Sequence, residues 1–213
     1  MSQRLWIKVC GLRSVDAIEA ALAAGVDAVG FVFHAPSPRH LEPGQARELA
    51  AAVPAGVEKV AVFLHPTQAL VDAAIDALRP EWVQTDADDL PNLALPAGQK
   101  ALPVFRTGRP WSPERVRGRR FLLESAQSGA GALADWTTAR SLAPAGELVL
   151  AGGLDVANVA DAIAAVRPFG VDVSSGVELS RGVKDAVLIR DFVDAARAAE
   201  ERLASSAMGV VQR

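Results

Sequence analysis

One pattern constrains this chain more than any other. Short apolar runs rich in β-formers alternate with Ala-rich stretches of helical spacing, from one end to the other. The first run is Leu5 to Val9. Ser14 then stands as an N-cap, Ile18, Ala21 and Leu22 share one helical face, and Gly25 ends the helix. Ala28 to Phe33 reads as the second strand, followed by a helix from Pro43 to about Ala52. Lys59 to Phe63 is the third, followed by a helix from Pro66 to Leu78.

The middle reads less cleanly. Glu81 to Gln84 is a short strand, and residues 88–98 carry a weak, Pro-interrupted helix. Ala101 to Phe105 is a fifth strand in which Pro103 fits only if the strand bends. A short helix is expected in Trp111 to Val116, then a sixth strand from Arg120 to Glu124. A small-residue loop from Ser125 to Ala132 leads to a helix opened by Asp135 and Trp136. Glu147 to Ala151 is the seventh strand, ended by Gly152 and Gly153. The next helix runs from about Val156 to Val166, with Asp155 as its cap. Val171 to Val173 is the eighth strand, ended by Ser174, Ser175 and Gly176. The last helix spans Lys184 to about Leu203, with a frayed tail from Ala204.

Eight strands in βα order imply a parallel sheet. With 213 residues, each unit has roughly 20–30, which fits a compact (β/α)8 barrel forming one domain over residues 1–213. An open doubly wound sheet is the rival. It usually has fewer strands, and no G-x-G-x-x-G follows the first strand here.

Charge and cysteine content narrow the function. Lys plus Arg is 22 and Asp plus Glu is 25, so no domain-wide basic excess points to nucleic acid, and the cluster Arg115 to Arg120 is short. Cys10 is the single cysteine, which excludes a disulfide within the chain and a multi-cysteine zinc site. His34, His40 and His65 have no i, i+4 pairing, so no metal set is expected; His34 and His65 read as loop residues. The start is too polar for a signal peptide, and no long uncharged apolar stretch suggests a membrane span. A cytoplasmic protein with no membrane or nucleic-acid partner is expected, monomer or homodimer being left open.

A barrel keeps its active groups at the C-terminal strand ends. That rule picks out Cys10, the segment His34 to Arg39, His65, and Gln84-Thr85-Asp86. It also picks out Arg106, Glu124, Gly152-Gly153, and Asp172 with Ser174-Ser175-Gly176. The loops after strands 7 and 8 offer glycines for close backbone approach, with N–H and hydroxyl groups beside them. Barrels often bind phosphate there. Cys10 reads as a small buried hydrophobe or a thiolate base. Glu124 ends an apolar strand, where a carboxyl needs a hydrogen bond or a function. Arg39 suits a ligand carboxylate or a surface loop equally. Asp172 suits a sugar hydroxyl or a structural hydrogen bond. Lys8, two residues before Cys10, is read as pointing the wrong way to serve it, with strand-end geometry left open.

Several segments together resemble the phosphoribosylanthranilate isomerase family, (β/α)8 enzymes of tryptophan biosynthesis. They are Ile7-Lys8-Val9-Cys10-Gly11-Leu12, and Val29 to Phe33 with Ser37-Pro38-Arg39. Later come Leu150 to Leu154 with Asn158-Val159, and Gly170 to Glu178 with Gly182 to Asp185. The resemblance implies an Amadori rearrangement of a small phosphorylated substrate, without metal or cofactor. It implies Cys10 as general base, Glu124 as general acid, and Arg39 on the anthranilate carboxylate. Gly152, Gly153, Ser174, Ser175 and Gly176 would form the phosphate cradle, and Asp172 lies beside it. The acid should have a raised pKa, and a positive field should lower that of the thiol.

The chain departs from that pattern three times at the mouth. Glu124 stands where the family has Asp. Ser128-Gly129-Ala130-Gly131 stands for Gly-Gly-Thr-Gly. Gln84-Thr85-Asp86-Ala87 stands for Gln-Leu-His-Gly. Two alternatives therefore stay open: a non-catalytic phosphate-binding barrel, and an isomerase of a related aminoaldose phosphate.

Overall fold

The computed structural model describes residues 4–108, 112–125 and 134–210, without the side chains of 207–210. Eight parallel strands close into a barrel in chain order. They are β1 (Trp6–Cys10), β2 (Ala28–Val32), β3 (Glu58–Val62), β4 (Trp82–Asp86), β5 (Lys100–Arg106), β6 (Arg120–Glu124), β7 (Glu147–Leu150) and β8 (Gly170–Val173). β1 pairs with both β2 and β8, which completes the ring. The (β/α)8 reading is borne out.

Local chemistry explains most helix starts. α1 (Val15–Ala23) is capped by Ser14, whose side chain accepts from the Ala17 N–H. α2 (Pro43–Ala50) has Pro at its first turn, where no N–H is needed. Thr67 caps α3 (Gln68–Leu78), and Asp135 caps α4 (Trp136–Leu142). α5 (Val159–Val166) begins later than read, because Asp155 caps a preceding turn by accepting from Ala157 and Asn158. α6 (Ala186–Val210) continues past Leu203 as helix.

The units after β4 and β5 depart from the expected alternation. Each contains a 3-10 turn among its described residues, Leu90–Asn92 and Pro113–Arg115, in place of the two helices read there. Their prolines stand at the start, where a helix tolerates them; the first turn ends because Leu93 is extended (φ −108°, ψ 130°), and Gly118 at φ 65° follows the second. Trp111, in the second of these expected helices, lies outside the described residues. Pro103 stays inside β5, where the ladder to β6 starts only at Val104. A small antiparallel hairpin after β8, β9 (Glu178–Ser180) and β10 (Val183–Lys184), was not foreseen.

Alternation along each strand makes two cores. One lies between barrel and helices and includes Ile7, Val9, Phe31, Phe121 and Phe192. The other fills the barrel with Trp6, Val60, Trp82, Leu102, Leu122 and Val149. Arg120 closes the floor, at the N-terminal strand ends. Its guanidinium lies 5.0, 4.8 and 4.3 Å from the ring centres of Trp6, Trp82 and Phe169. Glu147 and Glu58 accept from it at 2.8 and 3.3 Å.

Candidate active site

The same alternation decides what reaches the mouth. Trp6, Lys8 and Cys10 share the inner face of β1, since residues two apart point the same way. Lys8 is therefore turned toward Cys10, and the reading that aimed it elsewhere is corrected. Its side chain is fully buried, and its Nζ donates to Asp172 Oδ1 at 2.8 Å, directly across the β1–β8 ladder. Asp172 is thus a structural partner in a buried ion pair. Removing one member of such a pair costs about 3–5 kcal/mol.

Gly30 faces Cys10 in register on β2. A Cβ at this position would lie 2.9 Å from Cys10 Sγ and 3.1 Å from both Cys10 Cα and Lys8 Cε. The missing side chain makes the space in which thiol and ammonium meet. Gly30→Ala is expected to overpack this layer and to cost about 1–3 kcal/mol in chemical denaturation. A variant as stable as the parent would show that the layer yields freely.

Burial pushes the Cys10 thiol pKa up, and Asp172 adds to this, while Lys8 and Lys184 pull it down. The net direction is upward, which corrects the expectation of a lowered thiol. The positive field exists, but desolvation outweighs it. Burial also works against the charge on Lys8, yet Asp172 and Cys10 outweigh it and hold the ammonium.

Arg39 enters from the β2 loop and is 6 % exposed. Its Nε and Nη2 donate to Glu178 at 2.7 and 2.9 Å. Glu178 also accepts from Lys184 Nζ at 2.9 Å and from the Gly182 N–H at 3.1 Å. Lys184 donates to the Ser174 carbonyl at 2.8 Å, and the Ser174 hydroxyl donates to the Cys10 carbonyl at 3.0 Å. This chain of bonds ties the β9–β10 hairpin to the ends of β1 and β8. Burial raises the Glu178 pKa, but Arg39 and Lys184 outweigh it and the net shift is downward. Glu178 and Lys184 were only part of a longer motif in the sequence. Two oppositely charged residues flanking a short turn were the available signal.

On the opposite side, Arg106 and Glu124 face each other across the β5–β6 ladder. Arg106 Nη1 donates to Glu124 Oε2 at 2.9 Å, and its Nη2 donates to Asp86 Oδ1 at 2.6 Å. Strand-end position had singled out Asp86 and Arg106, but their pairing depends on register. His65 adopts a left-handed φ of 49° and meets Asp89 at 2.9 Å.

A cavity of about 250 Å³ opens at the mouth, and Cys10, Arg39, Glu124, Asp172, Ser174 and His34 all line it. A pocket of about 50 Å³ adjoins it, lined by Gly152, Gly153, Ser174 and Ser175 and sharing Glu124 and Asp172. Gly152 and Gly153 turn the chain at φ 85° and 66°, which glycine adopts without steric cost. Gly176 sits behind this pocket, where a Cβ would come 2.0 Å from the Leu154 carbonyl. Ser128 to Gly131 lie outside the described residues. Among the described residues, no group of three or more His, Cys, Asp or Glu side chains could hold a metal ion. No described helix is long and apolar enough to cross a membrane.

The model of the N-(5′-phosphoribosyl)anthranilate isomerase family matches residues 7–195. The chain belongs to this family. It is 38 % identical over 208 residues to the N-(5′-phosphoribosyl)anthranilate isomerase of Dechloromonas aromatica, covering 92 % of this chain and 98 % of that one. The solved structure of TrpF from Jonesia denitrificans is 35 % identical, with a TM-score of 0.78, covering 92 % of this chain and 98 % of that one. A phosphoribosyl anthranilate isomerase in complex with reduced 1-(o-carboxyphenylamino)-1-deoxyribulose 5-phosphate is 29 % identical, with a TM-score of 0.74. That match covers 92 % of this chain and all of the other.

Proposed function

We propose that the chain converts N-(5′-phosphoribosyl)anthranilate to 1-(2-carboxyphenylamino)-1-deoxyribulose 5-phosphate at the barrel mouth, in the cytoplasm. One observation carries this reading: a thiol and a carboxyl, Cys10 and Glu124, line one cavity that also contains Arg39 and adjoins the Gly152–Gly153 pocket. The substrate's phosphate and carboxylate need anion sites at two ends, with acid and base between them. Family membership and the product analogue bound by a relative support the same substrate.

In this reading the phosphate sits on the backbone N–H groups of Gly152, Gly153, Ser174 and Ser175. Arg39, braced by Glu178, uses its remaining N–H groups on the anthranilate carboxylate. Protonated Glu124 delivers its proton to the furanose ring oxygen, the ring C1–O bond breaks, and a Schiff base forms. The Cys10 thiolate takes the proton from C2, leaving an enolamine that tautomerises to the ketone. Lys8 and Lys184 are the cations that favour the thiolate.

Loss of phosphoribosylanthranilate fluorescence on adding the protein tests this directly. A flat trace from well-folded protein would overturn it in favour of a non-catalytic phosphate-binding barrel. The cradle has its own test. Gly153→Asp is expected to raise KM by about tenfold or more, because a carboxylate would meet the phosphate in a poorly screened site. Aspartate tolerates the left-handed backbone better than most residues, so the fold should survive. An unchanged KM would move the phosphate elsewhere.

A further inference from the structure

Two carboxyls share one guanidinium at the mouth. Arg106 gives Asp86 two contacts, 2.6 Å from Nη2 and 3.4 Å from Nε, and gives Glu124 one, 2.9 Å from Nη1. Asp86 and Arg106 are buried, at 6 % and 8 % exposure. Neither lines the two mouth cavities, whereas Glu124 lines both. The arrangement conflicts with proton donation unless something balances it, because a guanidinium alone beside Glu124 favours the carboxylate. Among the described residues, Asp86 supplies that balance. It holds the same guanidinium by its Nη2–Nε edge, so the charge left for Glu124 is reduced.

We propose that Asp86 and Arg106 act through Glu124, with Arg106 aiming its carboxyl into the cavity and Asp86 neutralising enough of the guanidinium for that carboxyl to carry a proton. The inference rests on Glu124 as the proton donor of the proposed reaction. It makes Asp86 and Arg106 positioning residues, since neither reaches the cavity. It also explains why a charged pair sits on the inner face of β4 and β5, where burial is costly. The two strand ends where the chain departs from the family pattern, Asp86 and Glu124, become one unit held by Arg106.

Among the described residues, the other charged and titratable groups facing this cavity are Cys10 and Asp172, with Lys8 paired to Asp172, and His34, Arg39 and Arg181. Lys184 and Glu178 stand behind Cys10 and Arg39. The bonds that hold Asp86 and Arg106 run to each other and to Glu124, while Arg39 is held by Glu178 and Lys8 by Asp172, so variants of the pair act first on Glu124.

The test follows the Glu124 carboxyl by 13C NMR in glutamate-labelled protein, with Glu124→Gln assigning its resonance, and compares kcat against pH. Asp86→Asn leaves the full guanidinium charge on Glu124, so its midpoint should fall by about one pH unit or more. The limb of kcat lost as pH rises should move down with it. Arg106→Gln should move both the other way, and the double variant should return close to the parent. In Asp86→Asn, kcat should fall while KM holds. Midpoints that stay put, or move together in both single variants, would overturn the proposal. If Arg106→Gln does not fold, Arg106→Lys serves instead: its single point charge should still let Asp86→Asn lower the midpoint, and no movement overturns the proposal. An isomerase assay that fails in the parent would reject the function, while the NMR midpoints would still decide the coupling.

Discussion

Cys10→Ala is expected to give a folded barrel that has lost about a hundredfold or more in kcat, the weight of a positioned base. Folding should tolerate the change. Alanine fills most of the small buried site, and the neighbouring Lys8 keeps its bond to Asp172. KM should change little, because the groups assigned to phosphate and carboxylate lie elsewhere in the cavity. Activity near that of the parent would remove Cys10 from the mechanism and leave it a buried filler. The chain's single cysteine allows a second, direct reading. Burial outweighs the pull of Lys8 and Lys184, so alkylation by iodoacetamide should rise with pH about a midpoint above that of a free thiol.

Glu124→Gln is expected to lower kcat by about 10²–10⁴-fold, since the amide matches the carboxyl in shape but has no acidic proton to give. Glu124→Asp separates an adapted site from a decayed one. The shorter side chain withdraws its oxygens by roughly 1.5 Å, about one C–C bond. It would pull away from both the cavity and Arg106 Nη1, now 2.9 Å from Oε2. A misplacement of about 1 Å can cost about a hundredfold in rate, so the aspartate variant should also be slow. A faster aspartate variant would count directly against a site built around glutamate.

Much of this architecture was legible in the residues because each signal was local. Ser14 and Asp135 announce helices through their own side chains, and Arg120 to Glu124 is a strand by its apolar run. The 3-10 turns at Leu90–Asn92 and Pro113–Arg115 were misread because helical spacing over a few residues does not show where the backbone leaves the helix, here at Leu93 and Gly118. The β9–β10 hairpin escaped because strands of three and two residues, with Leu179 and Val183 exposed, carry no buried apolar face to set a period. At the site, strand-end position was enough to pick Cys10, Glu124 and Arg39. Their partners were not legible in the same way. That Lys8 meets Asp172, or Arg106 meets Glu124, depends on how neighbouring strands are staggered, and one sequence does not state its own register. Lys8 was within reach, since parity along β1 alone places it beside Cys10.

Arg120 and its three aromatic rings fasten the barrel at the end opposite the mouth, and no residue of that floor lines either mouth cavity. The two ends therefore answer to different selective pressures. A lineage carrying this chain can exchange residues where the reaction takes place while it inherits the floor unchanged. Exchanges among the cavity-lining residues leave that fastening untouched, and a duplicated copy would start toward a new substrate from a barrel that already folds.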